Sequence, residues 1–194
     1  MTTRTRVAAI AAVLVGVGAI CYHAFAGPAK ESVTPASLAP ALSPVAATEK
    51  VPLLHIRAIA GEKSGEAFCY VCYRGDTTYA LVFVRKWNGM VAGFAKQLEE
   101  LKQDHPELGV GLVLLDKNEG LADRVRKDLG DAKLEVTTIA VPDGETGWAD
   151  VESFRLDEAK QTNAIVIANR EEKARIAAGC PHCDGVAAKI ARHL

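Results

Sequence analysis

Two pairs of cysteines with the same spacing offer the clearest chemistry in the chain. The first pair is Cys69 and Cys72, in a C-Y-V-C segment, and the second is Cys180 and Cys183, in a C-P-H-C segment. Two thiols separated by two residues can close a disulfide, exchange it with an external thiol, or supply half of a tetrahedral zinc site. The spacing therefore predicts thiol, disulfide or metal chemistry.

The first 26 residues have the pattern of an export signal. Arg4 and Arg6 precede an apolar run over residues 7–21, and an Ala-Phe-Ala sequence provides small residues just before Gly27. We predict that residues 1–26 are removed and that the protein is secreted or periplasmic. An uncleaved N-terminal anchor is the alternative, and we expect no other contact with a membrane.

Export changes the cysteine count and the redox surroundings. Cys21 leaves with the signal, and the four remaining cysteines enter a compartment that permits disulfides. The formal net charge of the whole chain is −1, and it becomes −3 without Arg4 and Arg6. We expect no nucleic-acid partner, because basic residues such as Arg124 and Arg126 alternate with acidic ones on a predicted helix.

A change of composition separates the predicted signal from the globular part. Five of the eight prolines fall between residues 27 and 52, among many Ala, Ser and Thr residues. Such a stretch has little to bury and cannot form the interior of a helix or sheet, so residues 27–50 are predicted to be a disordered, extended linker. Residues 51–194 then form one domain.

Apolar periodicity predicts the order of elements in this domain. Unbroken apolar runs at 79–84 and 110–115 suit strands that are covered on both faces, and apolar residues three and four apart predict a helix after each. The predicted order is a strand at 53–60, the cysteine segment at 68–73, a strand at 79–84, a helix at 89–104, a strand at 110–115, a helix at 121–129, a strand at 136–141, a short helix at 148–156 and a hairpin at 164–168 and 173–177, with a last helix at the C-terminus. This is an α/β domain with parallel central strands.

The second cysteine pair is predicted to begin the last helix. Cys180 is placed at its N-cap and Pro181 at its first position, where proline is favoured. Val186, Ile190 and Leu194 would form the buried stripe of this helix.

A cysteine at the start of a helix is chemically activated. Unpaired backbone N–H groups and the helix dipole stabilise a thiolate and lower the pKa of the thiol. A protonated His182 would add to this effect. We therefore predict that Cys180 is the nucleophile of a thiol–disulfide exchange and that Cys183 resolves the mixed disulfide.

The order of elements resembles the thioredoxin superfamily, in the redoxin branch with peroxiredoxins and cytochrome-maturation thioredoxins. The resemblance covers residues 51–194 and includes the rhythm of residues 134–143 and 164–169. The C-Y-x-C-x-x-G segment that begins at Cys69 is similar to a signature of exported thioredoxin-like bacterial proteins. The resemblance implies a thioredoxin-like fold, with a central mixed β-sheet flanked by helices, and protein thiols or disulfides as partners.

The chain departs from this family at two positions. The family places its reactive cysteine where the central strand meets the first core helix, but residues 85–89 read R-K-W-N-G. A cis-proline normally precedes the hairpin, but residues 161–163 read Q-T-N. Trp87, beside the unused position, would line a binding surface or pack in the core, and the resemblance places Cys180 on the same sheet edge.

Three functions remain open at this point. The first is thiol–disulfide exchange through Cys180 and Cys183. The second is a redox-silent binding or scaffold module whose pairs are structural disulfides, and this interpretation is favoured for Cys69 and Cys72. A four-residue disulfide loop contributes only about 1–2 kcal/mol of stability, however, which weakens the structural explanation.

A shared Cys₄ zinc site is the third possibility. It is disfavoured because the resemblance places Cys72 at the opposite end of the central strand from Cys180. We therefore expect no cofactor, with zinc as the minor alternative.

Overall fold

The computed structural model describes residues 50–130, 134–135, 137–182 and 184–194. The predicted signal, the linker up to residue 49 and Cys183 lie outside the described residues. No helix in the described part is long and apolar enough to span a membrane. The elements, in chain order, are β1 His55–Ala60, β2 Ala67–Cys69, α1 Tyr70–Arg74, β3 Tyr79–Val84, α2 Gly89–Asp104, β4 Gly109–Leu114, α3 Leu121–Leu129, β5 Thr137–Pro142, α4 Gly144–Ser153, β6 Thr162–Ala168, β7 Glu171–Ala178 and α5 Val186–Ala191.

The described strands form a mixed sheet in the order β2-β1-β5-β4-β3-β6-β7. Strands β3, β4 and β5 are parallel, as the alternation of strands and helices predicts. The hairpin β6–β7 adds to β3 in antiparallel orientation, and the hairpin β1–β2 adds to β5 in the same way. This architecture confirms the predicted α/β, thioredoxin-like fold.

Strand β3 is buried on both faces because helices cover both sides of the sheet. Ala80, Val82 and Val84 pack in a core with residues of α2, α3 and α5. The alternating residues of the strand, which include Leu81 and Phe83, pack in a second core with residues of α1 and α4. The unbroken apolar run that predicted this strand reflects its contact with two helical layers.

Several predicted boundaries need correction. Helix α4 begins at Gly144 rather than at residue 148, and the hairpin strands are longer than predicted. The hairpin turn consists of Asn169 and Arg170, not of four residues, and both have positive φ, at 54° and 61°. Two such residues form the kind of tight turn whose twist matches that of the flanking strands.

Helix α4 sits close to the start of β1 because it has a glycine at the contact. A Cβ atom at Gly147 would lie 2.4 Å from the backbone oxygen of His55 and 2.8 Å from the backbone carbon of Pro142. Neither backbone atom can move without disturbing the sheet. Gly147 therefore sets the distance between α4 and the β1–β5 pair.

We expect Gly147→Ala to lower the free energy of unfolding by about 1–3 kcal/mol, since the added methyl group overlaps backbone atoms. Gly93→Ala is the matched control, because Gly93 lies within α2 and its added Cβ would have no neighbour within 4 Å. Alanine there should be neutral or stabilise by up to about 1 kcal/mol. Urea unfolding of both variants measures the difference, and equal stability of the two would contradict this account of the α4 contact.

Candidate functional site

The second cysteine pair comes just after β7, which ends at the same side of the sheet as the C-terminal end of β3. Val84, the last residue of β3, pairs with Thr162, and Thr162 pairs with Ala178, the last residue of β7. Cys180 comes two residues later. The prediction that Cys180 shares an edge with the segment after β3 is confirmed.

Trp87, in the segment after β3, belongs to the core. Its side chain is only 6% exposed. The indole Nε1–H donates to Oδ2 of Asp128 at 2.8 Å, and the backbone N–H donates to Oδ2 of Asp116 at 3.3 Å. Of the two predicted roles, core packing is the one that the structure supports.

Hydrogen bonds join the two segments that hold the reactive cysteine and the cis-proline in thioredoxins. The Arg85 backbone N–H donates to the Gln161 oxygen at 3.0 Å, and the Gln161 side chain donates to the Lys86 oxygen at 3.3 Å. No cis peptide bond occurs among the described residues. This part of the edge is therefore tied together by backbone and amide contacts, and it has no thiol.

The prediction that Cys180 caps the last helix is wrong. Helix α5 begins at Val186, and its N-cap is Gly185, which is in the left-handed region at φ 60°. A turn separates Cys180 from the helix. In this turn the Asp184 N–H donates to the Cys180 oxygen at 3.0 Å. Cys180 therefore lies outside the region where helical N–H groups would stabilise its thiolate.

The Asp184 carboxylate, rather than a helix N-terminus, lies beside Cys180. Oδ2 of Asp184 accepts the backbone N–H groups of Cys180, at 3.0 Å, and of Gly179, at 2.9 Å. The hydrogen bond from the Cys180 N–H is the main cause that lowers the pKa of Asp184. Asp184 is thus ionised at neutral pH, and a nearby negative charge disfavours a thiolate.

The residues at and just after Cys180 differ in their exposure to solvent. Its side chain is half-buried, Pro181 is buried and His182 is exposed. The Cys180 sulfur is disulfide-bonded. Its proposed partner, Cys183, lies outside the described residues.

The local arrangement predicted for the second pair occurs instead at the first. Cys69 ends β2 and is the N-cap of α1, and its Sγ accepts the Cys72 backbone N–H at 3.2 Å. The two sulfurs form a disulfide, with Cα atoms 5.3 Å apart. Cys69 is half-buried and Cys72 is exposed. An external thiol can therefore reach the Cys72 sulfur.

Tyr70 anchors the disulfide segment to the sheet. Its side chain is fully buried, it packs edge to face on Tyr79 at 6.0 Å between ring centroids, and it lies over Gly111, where a Cβ would come within 2.9 Å of the ring. Burial raises the pKa of Tyr70 far above its usual value, so the phenol stays neutral. The buried ring fixes α1, while Cys72 faces outward.

Aromatic and charged side chains surround the exposed face of α1. Tyr73 is 44% exposed and packs edge to face on Phe68, at 5.5 Å between ring centroids. The Tyr73 hydroxyl donates to Glu62 at 2.5 Å, and this bond raises the pKa of Tyr73. The Lys63 ammonium lies 4.9 Å from the centroid of the Tyr73 ring. A partner that reaches Cys72 would meet this mixed aromatic and charged surface.

A histidine stands opposite the first cysteine in the β1–β2 hairpin. His55 and Cys69 are direct register partners. Nδ1 of His55 lies 2.8 Å from Oδ2 of Asp150 on α4, and the same oxygen accepts the His55 backbone N–H at 2.8 Å. Sequence reasoning identified neither His55 nor Asp150 as a site residue. No local signal could have done so, because the contact depends on the hairpin register and on the position of α4.

The first cysteine pair begins at the end of β2 and Cys180 follows β7, and these are the two outermost strands of the described sheet. The Asp143 N–H, just after β5, donates to the oxygen of His55, the register partner of Cys69, whereas Tyr70, the next residue, packs on Tyr79 at the start of β3. The expectation that Cys72 lies at the other end of the central strand from Cys180 stays a prediction, because these contacts locate Cys69 and Tyr70 rather than Cys72.

The distance between strands β2 and β7 can be compared with the distances that a shared zinc site requires. Strands β2 and β7 are six strand spacings apart, which at about 4.8 Å each is about 29 Å. Zinc–sulfur bonds of about 2.3 Å require all four sulfurs within a few ångströms of one another. The outermost positions of β2 and β7 therefore give no support to a zinc site shared by Cys69 and Cys180. The described residues also contain no cluster of three or more His, Cys, Asp or Glu side chains placed to hold a metal.

Solved structures with the same fold include several thiol-disulfide proteins. The thioredoxin domain of a thiol-disulfide oxidoreductase from Bacteroides vulgatus matches with a TM-score of 0.54 and 11% identity, over 75% of this chain and 99% of that one. A putative thiol:disulfide interchange protein, DsbE, from Chlorobium tepidum matches with a TM-score of 0.51 and 14% identity, over 74% and 95% of the two chains.

An exposed lipoprotein thioredoxin from Streptococcus pneumoniae matches with a TM-score of 0.52 and 13% identity, over 73% of this chain and 99% of that one. No protein-family model and no curated protein matches the chain in sequence. At these identities the likeness defines the fold, which is thioredoxin-like.

The effect of Asp184 on the reactivity of the Cys180 thiol can be tested. In the variant C21S/C69S/C72S/C183S, we expect the thiol of Cys180 to react slowly with iodoacetamide at pH 7, because the Asp184 carboxylate opposes thiolate formation. Adding Asp184→Asn should speed the reaction severalfold. Asp123→Asn, at an exposed carboxylate on α3, is the control and should have no effect. Rapid alkylation of Cys180 that does not change with Asp184→Asn would restore the predicted activated thiol.

Proposed function

We propose that this chain is an exported thiol–disulfide exchange protein that acts on thiols or disulfides of other proteins through Cys69 and Cys72. The observation that supports this best is the exposed disulfide at the start of α1, in which Cys69 Sγ accepts the Cys72 N–H at 3.2 Å. This differs from the sequence prediction, which favoured Cys180 and Cys183 for the exchange.

The geometry suits Cys72 as the sulfur that is attacked and Cys69 as the leaving group. Cys72 is exposed, whereas Cys69 is half-buried beside the sheet. When the disulfide opens, the electron pair goes to Cys69, and the Cys72 N–H already points at that sulfur. Hydrogen bonds to the charged form of a group favour ionisation, so this contact makes Cys69 the better leaving thiolate.

The fold and the predicted export signal support the wider role. Thiol-disulfide oxidoreductase and interchange proteins are among the structures that share the fold, and one of the similar proteins is an exposed lipoprotein. The pattern of residues 1–26 predicts the same side of the membrane for this chain. We therefore propose a secreted or periplasmic location, where disulfides persist.

Cys180 and Cys183 are the second candidate pair. Cys180 follows β7 on the edge where thioredoxins perform their chemistry, and its side chain is half-buried rather than enclosed. In this alternative Cys180 is the nucleophile and Cys183 the resolving thiol, with His182 exposed beside them. The Asp184 carboxylate opposes this role, and for that reason we place this pair second.

Two matched double variants test the assignment. We expect C69S/C72S to lose the ability to oxidise a reduced dithiol peptide, and C180S/C183S to keep it, because the first pair combines an exposed Cys72 with a leaving group, Cys69, that accepts a hydrogen bond. Formation of the peptide disulfide is followed by mass spectrometry. C69S, mixed instead with the disulfide form of the peptide, should hold the peptide on Cys72 as a mixed disulfide, because the Cys72 thiolate attacks the peptide disulfide and releases its other sulfur as a thiolate.

The other results would overturn the proposal in distinct ways. Loss of activity only in C180S/C183S would assign the exchange to the second pair. Wild-type protein that never oxidises the peptide and never reduces its disulfide would indicate a redox-silent binding module with structural disulfides.

A further inference from the structure

The β1–β2 hairpin places His55 directly across from Cys69, the leaving group of the proposed exchange site. The Tyr70 N–H donates to the Leu54 oxygen at 2.8 Å and the Ala58 N–H donates to the Glu66 oxygen at 2.9 Å, which fixes the hydrogen-bonded rows of the hairpin. His55 and Cys69 therefore form a non-hydrogen-bonded pair. In such pairs the side chains approach most closely, with Cβ atoms about 4.5–5.5 Å apart.

Asp150 holds the imidazole of His55 in one orientation. Its Oδ2 lies 2.8 Å from Nδ1 and also 2.8 Å from the His55 backbone nitrogen, so ring and backbone are fixed to one carboxylate. Because a carboxylate accepts hydrogen bonds, Nδ1 has a proton, and Nε2 is the nitrogen that can take up or release one. The His55 side chain is 40% exposed, and that of Asp150 19%.

Asp150 and Asp143 are carboxylates that the described residues place beside this histidine. Helix α4 contributes Asp150, and β2 contributes Cys69, whose sulfur is neutral in the disulfide. Asp143, in the turn before α4, is paired with Arg57 of β1 at 2.9 Å, so its charge is largely compensated. Asp150 is thus the charged side chain that lies directly against the His55 imidazole.

We propose that His55, oriented by Asp150, is a catalytic acid and base for Cys69, an inference that rests on the proposed exchange at Cys69 and Cys72. A substrate thiolate attacks Cys72 Sγ, a new sulfur–sulfur bond forms, and the bond between Cys72 and Cys69 breaks. Its electron pair goes to Cys69 Sγ, which takes the proton from Nε2 of the His55 imidazolium.

The second half of the reaction oxidises the substrate dithiol and leaves both protein cysteines reduced. A second substrate thiolate attacks the substrate sulfur of the mixed disulfide and releases Cys72 as a thiolate. The substrate dithiol has lost two electrons and the protein disulfide has gained them. In the reverse direction, neutral His55 removes the proton from Cys69, whose thiolate then resolves the mixed disulfide at Cys72.

The experiment compares three variants of the full mature chain in the oxidation of a reduced dithiol peptide between pH 5 and 9. We expect His55→Gln to lower the rate constant at least tenfold and to remove one inflection from the pH–rate profile. Asp150→Asn should lower the rate less and displace that inflection. His105→Gln is the control, because His105 lies at the end of α2 and pairs only with Glu107 among the described residues.

A second variant separates a chemical role from a structural one. In His55→Ala, added imidazole should restore part of the rate, because the side chain it replaces is partly exposed. Imidazole cannot repair a misplaced hairpin, so rescue would support proton transfer. An unchanged pH–rate profile in His55→Gln, or an equal loss at every pH without imidazole rescue, would overturn the proposal.

The outcome also distinguishes this inference from the proposed function. If C69S/C72S retains the activity, the exchange site itself is wrong. If C69S/C72S abolishes the activity but His55→Gln matches wild type, the pair is active and only the role of His55 fails.

Discussion

The antiparallel pairing of β1 with β5 is the constraint on which the proposed site depends. It places the start of β1 beside the end of β5, where α4 begins. The hairpin partner of β1 then brings Cys69 to His55, and α4 brings Asp150 to the same residue. A shift of one residue in this register would turn the side chain of His55 to the other face of the sheet and separate the three groups.

In the proposed site the chemistry lies beside the outermost strand of the sheet rather than at its centre. The segment after β3, where the resemblance predicts the family's reactive cysteine, has a buried Trp87 whose indole donates to Asp128. Gln161, where the resemblance predicts a cis-proline, is hydrogen-bonded to the chain at Arg85 and Lys86. A fold can host different sites without change to its core, so the fold alone does not say which residues are active.

The sequence predicted the central elements well because local periodicity determines them. Strand β3 and helix α2 have the predicted bounds, since each is defined by apolar residues that face a buried layer. The predicted start of α5 is wrong because a proline such as Pro181 is favoured at the first position of a helix, although here it lies in the turn before the helix. Asp184 instead accepts the N–H groups before it, and Gly185 takes a positive φ, so the helix begins later. The contact of His55 with Asp150 spans 95 residues and leaves no local pattern.

The central claim is that Cys69 and Cys72 form an exchangeable disulfide rather than a staple, and the reduction potential of this pair tests it most directly. The C180S/C183S variant would be equilibrated with glutathione buffers and its thiols counted by mass after alkylation. If the pair exchanges disulfides, its potential should lie between about −120 and −270 mV, the range of proteins that do so. A value below about −300 mV, typical of structural disulfides, would contradict it.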